Sequence, residues 1–170
     1  MFKSIKERIQ YLHMCIKDIN ELDNVDQDIF ALKKDNGSLR KQKNHYSFDN
    51  MAQNDFTDFV MEKIGSALKQ SKKATGITLS HSYATDKGMQ SFIRGLSETK
   101  APIREIHIDD FPYITDKSMK LLPEVIAKKG ITVCDIGYCP NVSPELKKQI
   151  GLACIKNQQI MNTTAKSLSN

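Results

Sequence analysis

Three successive stretches of the sequence follow one pattern: a short apolar strand, a turn and a helix. They begin at Ile77, Ile103 and Ile131 and together span residues 77–157. One strand and one helix of this length cannot bury their own apolar sides, so neighbouring units must stack on one another. The pattern therefore predicts an α/β fold in which parallel strands line one face and helices cover the other.

The second stretch shows the pattern most completely. Ile106 and Ile108 alternate with polar residues, which is the period of a half-buried strand. After a turn, Thr115 and Asp116 supply side-chain oxygens that suit the start of a helix. Apolar residues then recur at helical spacing at Met119, Leu122 and Ile126.

The first and third stretches align with the second, so strand alternation assigns side chains to the two faces of the sheet. The residues predicted to face the core are Ile77, Leu79, Ile106, Ile108, Cys134 and Ile136. The residues predicted to face outward are Thr78, Ser80, Glu105, His107, Asp109, Asp135 and Gly137, with Asp110, Tyr113 and Tyr138 at the rim.

With these positions aligned, the stretches resemble leucine-rich repeats of the ribonuclease-inhibitor-like kind, in particular the cysteine-containing subtype. The match rests on residues 114–116 (Ile-Thr-Asp) and on residues 136–143, which include Cys139. The sequence departs from the subtype at Ser82, Phe111 and Pro144. The resemblance implies a short right-handed arc with parallel strands on its concave face, helices outside and a helical cap before it. It also places Cys139 inside the stacked turns.

The chain divides into three predicted regions. Residues 1–34 form an N-terminal amphipathic helix or helical hairpin, which either caps the array or forms a coiled-coil seam with another chain. Its apolar stripe is Phe2, Ile5, Ile9, Leu12, Ile16 and Ile19. Residues 35–157 form the leucine-rich-repeat domain, with a degenerate opening repeat over 35–76 and three repeats over 77–157. Residues 158–170 are small and polar and are expected to form a flexible tail.

Within the opening repeat, residues 45–48 predict a first strand because Tyr46 and Phe48 alternate with polar neighbours. A helical stripe follows at Phe56, Phe59, Val60, Ile64 and Leu68.

Hydropathy and cysteine usage indicate the cellular compartment. With a mean hydropathy of −0.45, the chain has no apolar run near the roughly 20 residues of a membrane helix. Four cysteines without a CxxC motif favour a reducing compartment without disulfides, and hence the cytoplasm.

Motifs for chemistry are missing from the sequence. It has no nucleophile and base at a recognised spacing and no glycine-rich phosphate loop, so we expect neither an enzyme nor a cofactor. Four residues on or just after the strands are candidate metal ligands, although exposed strand polarity is the favoured interpretation: His81, His107, Asp109 and Asp135.

The outward strand face is the predicted binding surface. Its acidic side chains would suit a protein or peptide partner with a basic surface and would repel a nucleic-acid backbone. The predicted partner-binding residues are Thr78, Ser80, Glu105, His107, Asp109, Asp135 and Tyr138. A merely solvated sheet face is the competing interpretation. The resemblance implies a non-catalytic adaptor, an assembly factor, or a bacterial effector acting in a host cytosol.

The alternative function is association with nucleic acid. The chain carries a net charge of +5, and its densest basic run is Lys33, Lys34, Arg40, Lys41 and Lys43. The charge excess is otherwise spread along the sequence, whereas a nucleic-acid binder concentrates it. A solvated linker is therefore the favoured interpretation of the run.

Overall fold

A four-stranded parallel sheet is the centre of the computed structural model, which describes residues 44–48 and 57–168. The elements in chain order are β1 (His45–Phe48), α1 (Asp58–Gln70), β2 (Gly76–Ser80), α2 (Asp86–Glu98), β3 (Glu105–Asp109), α3 (Asp116–Met119), α4 (Leu122–Lys129), β4 (Val133–Ile136) and α5 (Pro144–Leu168). The strands lie in the order β1-β2-β3-β4, each parallel to its neighbour. The coarse prediction of an α/β fold with parallel strands is confirmed.

The strand register builds the core in two columns. The first is Tyr46, Ile77, Ile106 and Cys134, and the second is Phe48, Leu79, Ile108 and Ile136. Both columns are buried through β1, β2 and β3, as the alternation predicts. Cys134 and Ile136 are only half-buried because β4 is the last strand of the sheet in the part of the chain described.

Helix α1 packs its apolar stripe against this core, with one correction to the prediction. Val60, Ile64 and Leu68 are buried, but Phe59 is 61% exposed. A helix advances about 100° per residue, so Phe59 lies outside the sector that the i, i+4 residues share. Met61, on the other flank of that sector, is buried in its place. Phe56 lies outside the described residues.

Helices α1 and α2 meet through two glycines. A Cβ added to Gly95 would lie 2.0 Å from the carbonyl oxygen of Gly65, and one added to Gly65 would lie 2.5 Å from the carbonyl oxygen of Ser91. Distances this short mean that the two backbones touch where no side chain separates them. The close approach brings α2 down onto the sheet beside α1.

Carboxylates tie the start of each helix to the next unit. The first residue of α1, α2 and α3 accepts the backbone N–H of the residue that precedes the first helix of the next unit, which is α2, α3 and α5 respectively. The pairs are Asp58 with Thr85, Asp86 with Thr115 and Asp116 with Ser143, at N···O distances of 2.7, 2.8 and 2.8 Å. Each threonine also caps its own helix through its hydroxyl. Pro144 occupies the corresponding position in the last helix, so this series of carboxylates ends there.

The helix predicted from Met119 through Ile126 is two elements. Helix α3 ends at Met119, and α4 starts at Leu122 with Pro123 in its first turn. Proline has no N–H to donate to the preceding turn, which is why the helix is interrupted before it and restarts with proline at an early position.

The C-terminal end differs from the predicted tail. Residues 158–168 are helical and complete α5, although their side chains are largely exposed. Glutamine, isoleucine, methionine and lysine continue the helix readily, so the polarity of the segment was a poor guide to its conformation. Among the helices of the described chain, none has both the length and the apolarity needed to cross a bilayer.

Asn157 fastens α5 to the unit before it. Its side-chain nitrogen donates to the carbonyls of Ile126 and Ile131 at 2.9 and 2.8 Å, and the residue is buried. These two carbonyls lie where α4 ends and the chain turns into β4.

Replacing Asn157 with alanine should lower the free energy of unfolding by roughly 1.5 kcal/mol. The reason is that the carbonyl oxygens of Ile126 and Ile131 lose the hydrogen bonds that the buried amide donates. Urea unfolding followed by far-ultraviolet circular dichroism measures the change. Gln159→Ala, at an exposed position of the same helix, is the matched control and should shift stability by less than about 0.5 kcal/mol. Equal effects of the two substitutions would show that Asn157 contributes only helix propensity.

Candidate functional site

The outward face of the sheet carries two rows of residues set by the strand register, and both rows are polar except for Gly76 and Val133. The first row is His45, Gly76, Glu105 and Val133, and the second is Ser47, Thr78, His107 and Asp135. None of the four strands that the structure describes contains lysine or arginine. The face therefore combines carboxylates, imidazoles and hydroxyls.

A chain of polar contacts crosses these rows. The imidazole of His45 lies 2.9 Å from the Thr78 hydroxyl through Nε2 and 3.7 Å from a Glu105 carboxylate oxygen through Nδ1. The other oxygen of Glu105 accepts a hydrogen bond from His107 Nε2 at 2.7 Å. His107 Nδ1 lies 3.9 Å from the carboxylate of Asp135. Glu105 is thus held between two imidazoles, and the contacts reach from β1 to β4.

Gly76 makes room for the first member of this chain. A Cβ at Gly76 would lie 2.2 Å from Nδ1 of His45, so the imidazole crosses β2 where that strand has no side chain. The imidazole rings of His45 and His107 lie 6.1 Å apart between centroids. Sequence reasoning named His107 but missed His45, because the contact joins residues far apart in the chain and depends on the register.

Two of the predicted partner-binding residues, Ser80 and Asp109, lie in surroundings that the sequence did not predict. Ser80 is 7% exposed and offers little surface to a partner. Asp109 accepts the backbone N–H of Tyr138 at 2.7 Å, and its carboxylate occupies the space that a side chain at position 137 would need. Its main contact is therefore with the loop after β4. Thr78, Glu105 and His107 are half-buried, whereas Asp135 is exposed.

The loops after β2 and β3 hold a histidine–aspartate pair that the sequence did not indicate. His81 and Asp110 follow β2 and β3, both have a backbone φ of 56°, and His81 Nδ1 lies 2.8 Å from Asp110 Oδ2. Tyr83 and Tyr113 stand two residues before the capping threonines, and their ring centroids are 5.7 Å apart. That equal spacing from the caps is the sequence signal that would have found the tyrosine pair.

The candidate metal ligands His81 and His107 lie in two different places in the described part of the chain. His81 pairs with Asp110, whereas His107 lies near Glu105 and Asp135. No three histidine, cysteine or carboxylate side chains within residues 44–48 and 57–168 are arranged to hold a metal ion.

The cysteines in the described region are poorly suited to nucleophilic chemistry. Cys139 lies buried inside the turn, as predicted, and burial raises the pKa of its thiol. Burial also raises the pKa of Cys134 and of Cys154. A thiol with a raised pKa supplies little thiolate near neutral pH.

Two predicted features lie outside the described residues, namely the N-terminal stripe within residues 1–34 and the basic run Lys33–Lys43. Both stay predictions. Binding to RNA or DNA that weakens steeply between low and moderate salt would support the basic run.

Comparisons with known proteins identify structural neighbours. No protein-family model and no curated protein matches the chain. A solved structure described as leiomodin-1 actin-binding site 2 is 14% identical over 74% of this chain and 69% of its own, with a TM-score of 0.60. A Caenorhabditis elegans tropomodulin C-terminal domain is 12% identical over 94% of this chain and 99% of its own, with a TM-score of 0.47.

These comparisons correct the family expected from the sequence. The assignment to leucine-rich-repeat proteins of the ribonuclease-inhibitor-like kind is wrong, and so is the repeat solenoid that it implied, because the similarity is to the leiomodin domain. What misled the assignment is the strand, turn and capped helix, a combination that stacked parallel β–α units share. The chain shares an α/β fold with the leiomodin structure, and the sheet described in this chain has four parallel strands.

Proposed function

We propose that this domain is a non-catalytic protein-binding module whose contact surface is the polar face of the sheet. The observation that carries the proposal is the connected series Thr78, His45, Glu105, His107 and Asp135, which spans all four strands. The two hydrogen-bonded pairs in this series, His45 with Thr78 and His107 with Glu105, lose less conformational freedom when a partner binds. A face of independently solvated side chains would lack this advantage.

The chemistry of the face suits a partner with a basic surface. Its strands supply Glu105, Asp109 and Asp135 and no lysine or arginine in the part of the chain that the structure describes. Opposite charge across an interface speeds association and discriminates against wrong partners, whereas acidic groups repel the phosphates of nucleic acid. An adaptor, an assembly factor and an effector are all roles that such a module serves. The cysteine usage makes the cytoplasm the proposed compartment.

Actin is the first partner to test. The support for it is the fold shared with the leiomodin-1 structure, which is an actin-binding site. Co-sedimentation with filamentous actin and gel filtration with monomeric actin test the two forms directly. Capture of other proteins from a native lysate, identified by mass spectrometry, tests the broader proposal.

Reversing Asp135 to lysine should weaken the partner complex about tenfold, which corresponds to roughly 1.4 kcal/mol. Asp135 is 73% exposed, so the substitution changes the charge of the face without filling the core. The dissociation constant for the captured partner, measured by biolayer interferometry, gives the effect. Asp109→Lys is a poorer test because it would also disrupt the loop at Tyr138.

Glu62→Lys is the control, since it makes the same charge change at an exposed site on α1. The proposal predicts that this variant binds the partner within about twofold of the parent chain. If Asp135→Lys and Glu62→Lys weaken binding equally, long-range charge explains the loss and the sheet face is not the contact surface.

A further inference from the structure

The loops at the carboxyl ends of β2, β3 and β4 form a second surface that adjoins the polar face. Leu79, Ile108 and Ile136 pair across the strands, so His81, Asp110 and Tyr138, two residues later in each unit, occupy corresponding places. Backbone hydrogen bonds continue this match into the loops: His81 donates to Asp109, and Phe111 donates to Tyr138. We call this surface the rim.

Exposed tyrosines dominate the outer part of the rim. Tyr83, Tyr113 and Tyr138 are 40%, 55% and 66% exposed. The rings of Tyr83 and Tyr113 contact each other at an interplanar angle of 59°. Tyr83 and Tyr113 therefore support each other, yet more than half of the surface of Tyr113 stays exposed to solvent. Tyrosine is enriched at protein interfaces because it offers a large, rigid contact at low entropic cost.

Asp110 supplies a negative charge in the middle of the rim. It lies between His81 of one unit and Tyr138 of the next, and Tyr113 follows it in the same loop. His81 Nδ1 contacts one carboxylate oxygen at 2.8 Å and so fixes the direction of the group. The side chain keeps 29% of its surface exposed.

Lys147 of α5 lies next to this surface and is already engaged. The ammonium group of Lys147 donates a hydrogen bond to the carbonyl oxygen of Gly137 at 3.2 Å. Gly137 comes one residue before Tyr138. That contact holds the same loop as Asp109, which accepts the backbone N–H of Tyr138. Asp110 contacts the His81 imidazole and is still partly exposed, so a cationic group from outside can reach its carboxylate.

We propose that the rim binds an arginine side chain of the protein partner, with the guanidinium against the carboxylate of Asp110 and the neighbouring tyrosine rings. Arginine fits better than lysine because its planar guanidinium stacks on aromatic faces while its N–H groups reach a carboxylate. The inference rests on the proposed function and adds to it the side chain that the partner presents and the place where that side chain binds.

The test uses fluorescently labelled octa-arginine and octa-citrulline peptides. Citrulline has nearly the shape of arginine but no charge, so the comparison distinguishes recognition of the cation from nonspecific peptide binding. Fluorescence anisotropy gives the affinities, and ¹H–¹⁵N correlation spectra of the full chain locate the bound peptide. We expect octa-arginine to bind, octa-citrulline to bind at least tenfold more weakly, and the shifted amides to include those of Asp110, Tyr113 and Tyr138.

Paired variants identify the groups responsible. Replacing both Tyr113 and Tyr138 by leucine should weaken octa-arginine binding about five- to thirtyfold, whereas replacing both by phenylalanine should change it by less than about threefold, because phenylalanine keeps the ring. Asp110→Asn should weaken binding about fivefold or more, since it removes the charge. Asparagine tolerates a positive φ as aspartate does, so this variant keeps the backbone.

Other outcomes overturn the inference. It fails if the parent chain does not bind octa-arginine, if octa-citrulline binds equally well, or if the leucine and phenylalanine pairs behave alike. Binding that survives the leucine pair but is lost in Asp135→Lys would place the cation on the sheet face. That result would refute the rim while leaving the proposed function intact. Loss of partner capture in Asp135→Lys with unchanged capture in the leucine pair would separate the two proposals in the same way.

Discussion

Replacing Gly95 with alanine should lower the free energy of unfolding by about 3 kcal/mol, which is at the upper end of the usual cost of overpacking a core. The new Cβ would lie 2.0 Å from the carbonyl oxygen of Gly65 and 2.5 Å from its carbonyl carbon. Both atoms belong to the backbone of α1, so they cannot swing away as a side-chain tip could. Relief requires α1 and α2 to separate, which opens the core around Phe92 and Ile64.

Gly151→Ala provides a control with the opposite expected sign. Gly151 lies within α5, and an added Cβ there meets nothing within 4 Å. Alanine is the better helix former, so this substitution should raise the free energy of unfolding by about 0.5 to 1 kcal/mol. Chemical unfolding of the two variants beside the parent chain measures both effects. A stabilised Gly95→Ala variant would mean that the two helices do not touch as described.

Much of the fold follows from local patterns in the sequence. Alternation placed Ile77, Leu79, Ile106 and Ile108 in the core, and all four are fully buried. The capping threonines marked the starts of α2 and α3. These features were readable because they depend on periodicity and on hydrogen bonds within one helical turn.

Contacts between distant residues were not readable. The sequence shows that Gly65 and Gly95 are glycines, but only the packing of α1 on α2 shows that both must be small. In the same way His45 joins the candidate site through Glu105, sixty residues later in the chain. Asp109 is exposed, as expected of an outward strand residue, but the sequence did not show that it accepts the backbone N–H of Tyr138. Each outcome depends on strand register and loop path, which periodicity does not determine.

The wrong family assignment has a related cause. A strand, a capped helix and a period of roughly 28 to 30 residues are what any stack of parallel β–α units requires. The residues that matched the expected family, such as Thr115 and Asp116, serve this general requirement: the threonine caps α3, and the aspartate holds the cap of α5 at Ser143. The pattern could therefore predict the architecture without identifying the family.

The series of carboxylates between units gives the second large effect. Replacing Asp86 with alanine should lower the free energy of unfolding by roughly 2 kcal/mol at pH 7, because two hydrogen bonds to a charged acceptor are lost. Asp86 accepts the backbone N–H of Thr115 at 2.8 Å and its hydroxyl at 2.7 Å. Without the carboxylate, the start of α3 is no longer held to α2. Asp86→Asn keeps an acceptor oxygen but not the charge, so its loss should be about half as large.

The effect should also depend on pH in a direction set by Asp86. Burial raises the pKa of this carboxyl, but hydrogen bonds from Ser118 and Thr115 outweigh burial and leave its pKa below the usual value. A carboxyl whose pKa is lower in the folded chain stabilises it fully above the unfolded pKa of about 3.9, and that stabilisation disappears as the pH falls through the folded pKa. The stability difference between the parent chain and Asp86→Asn should therefore be constant from pH 7 to pH 5 and shrink by pH 3. Urea unfolding at pH 7, 5 and 3 measures it, and a difference that stays constant down to pH 3 would show that the charge of Asp86 does not hold the two units together.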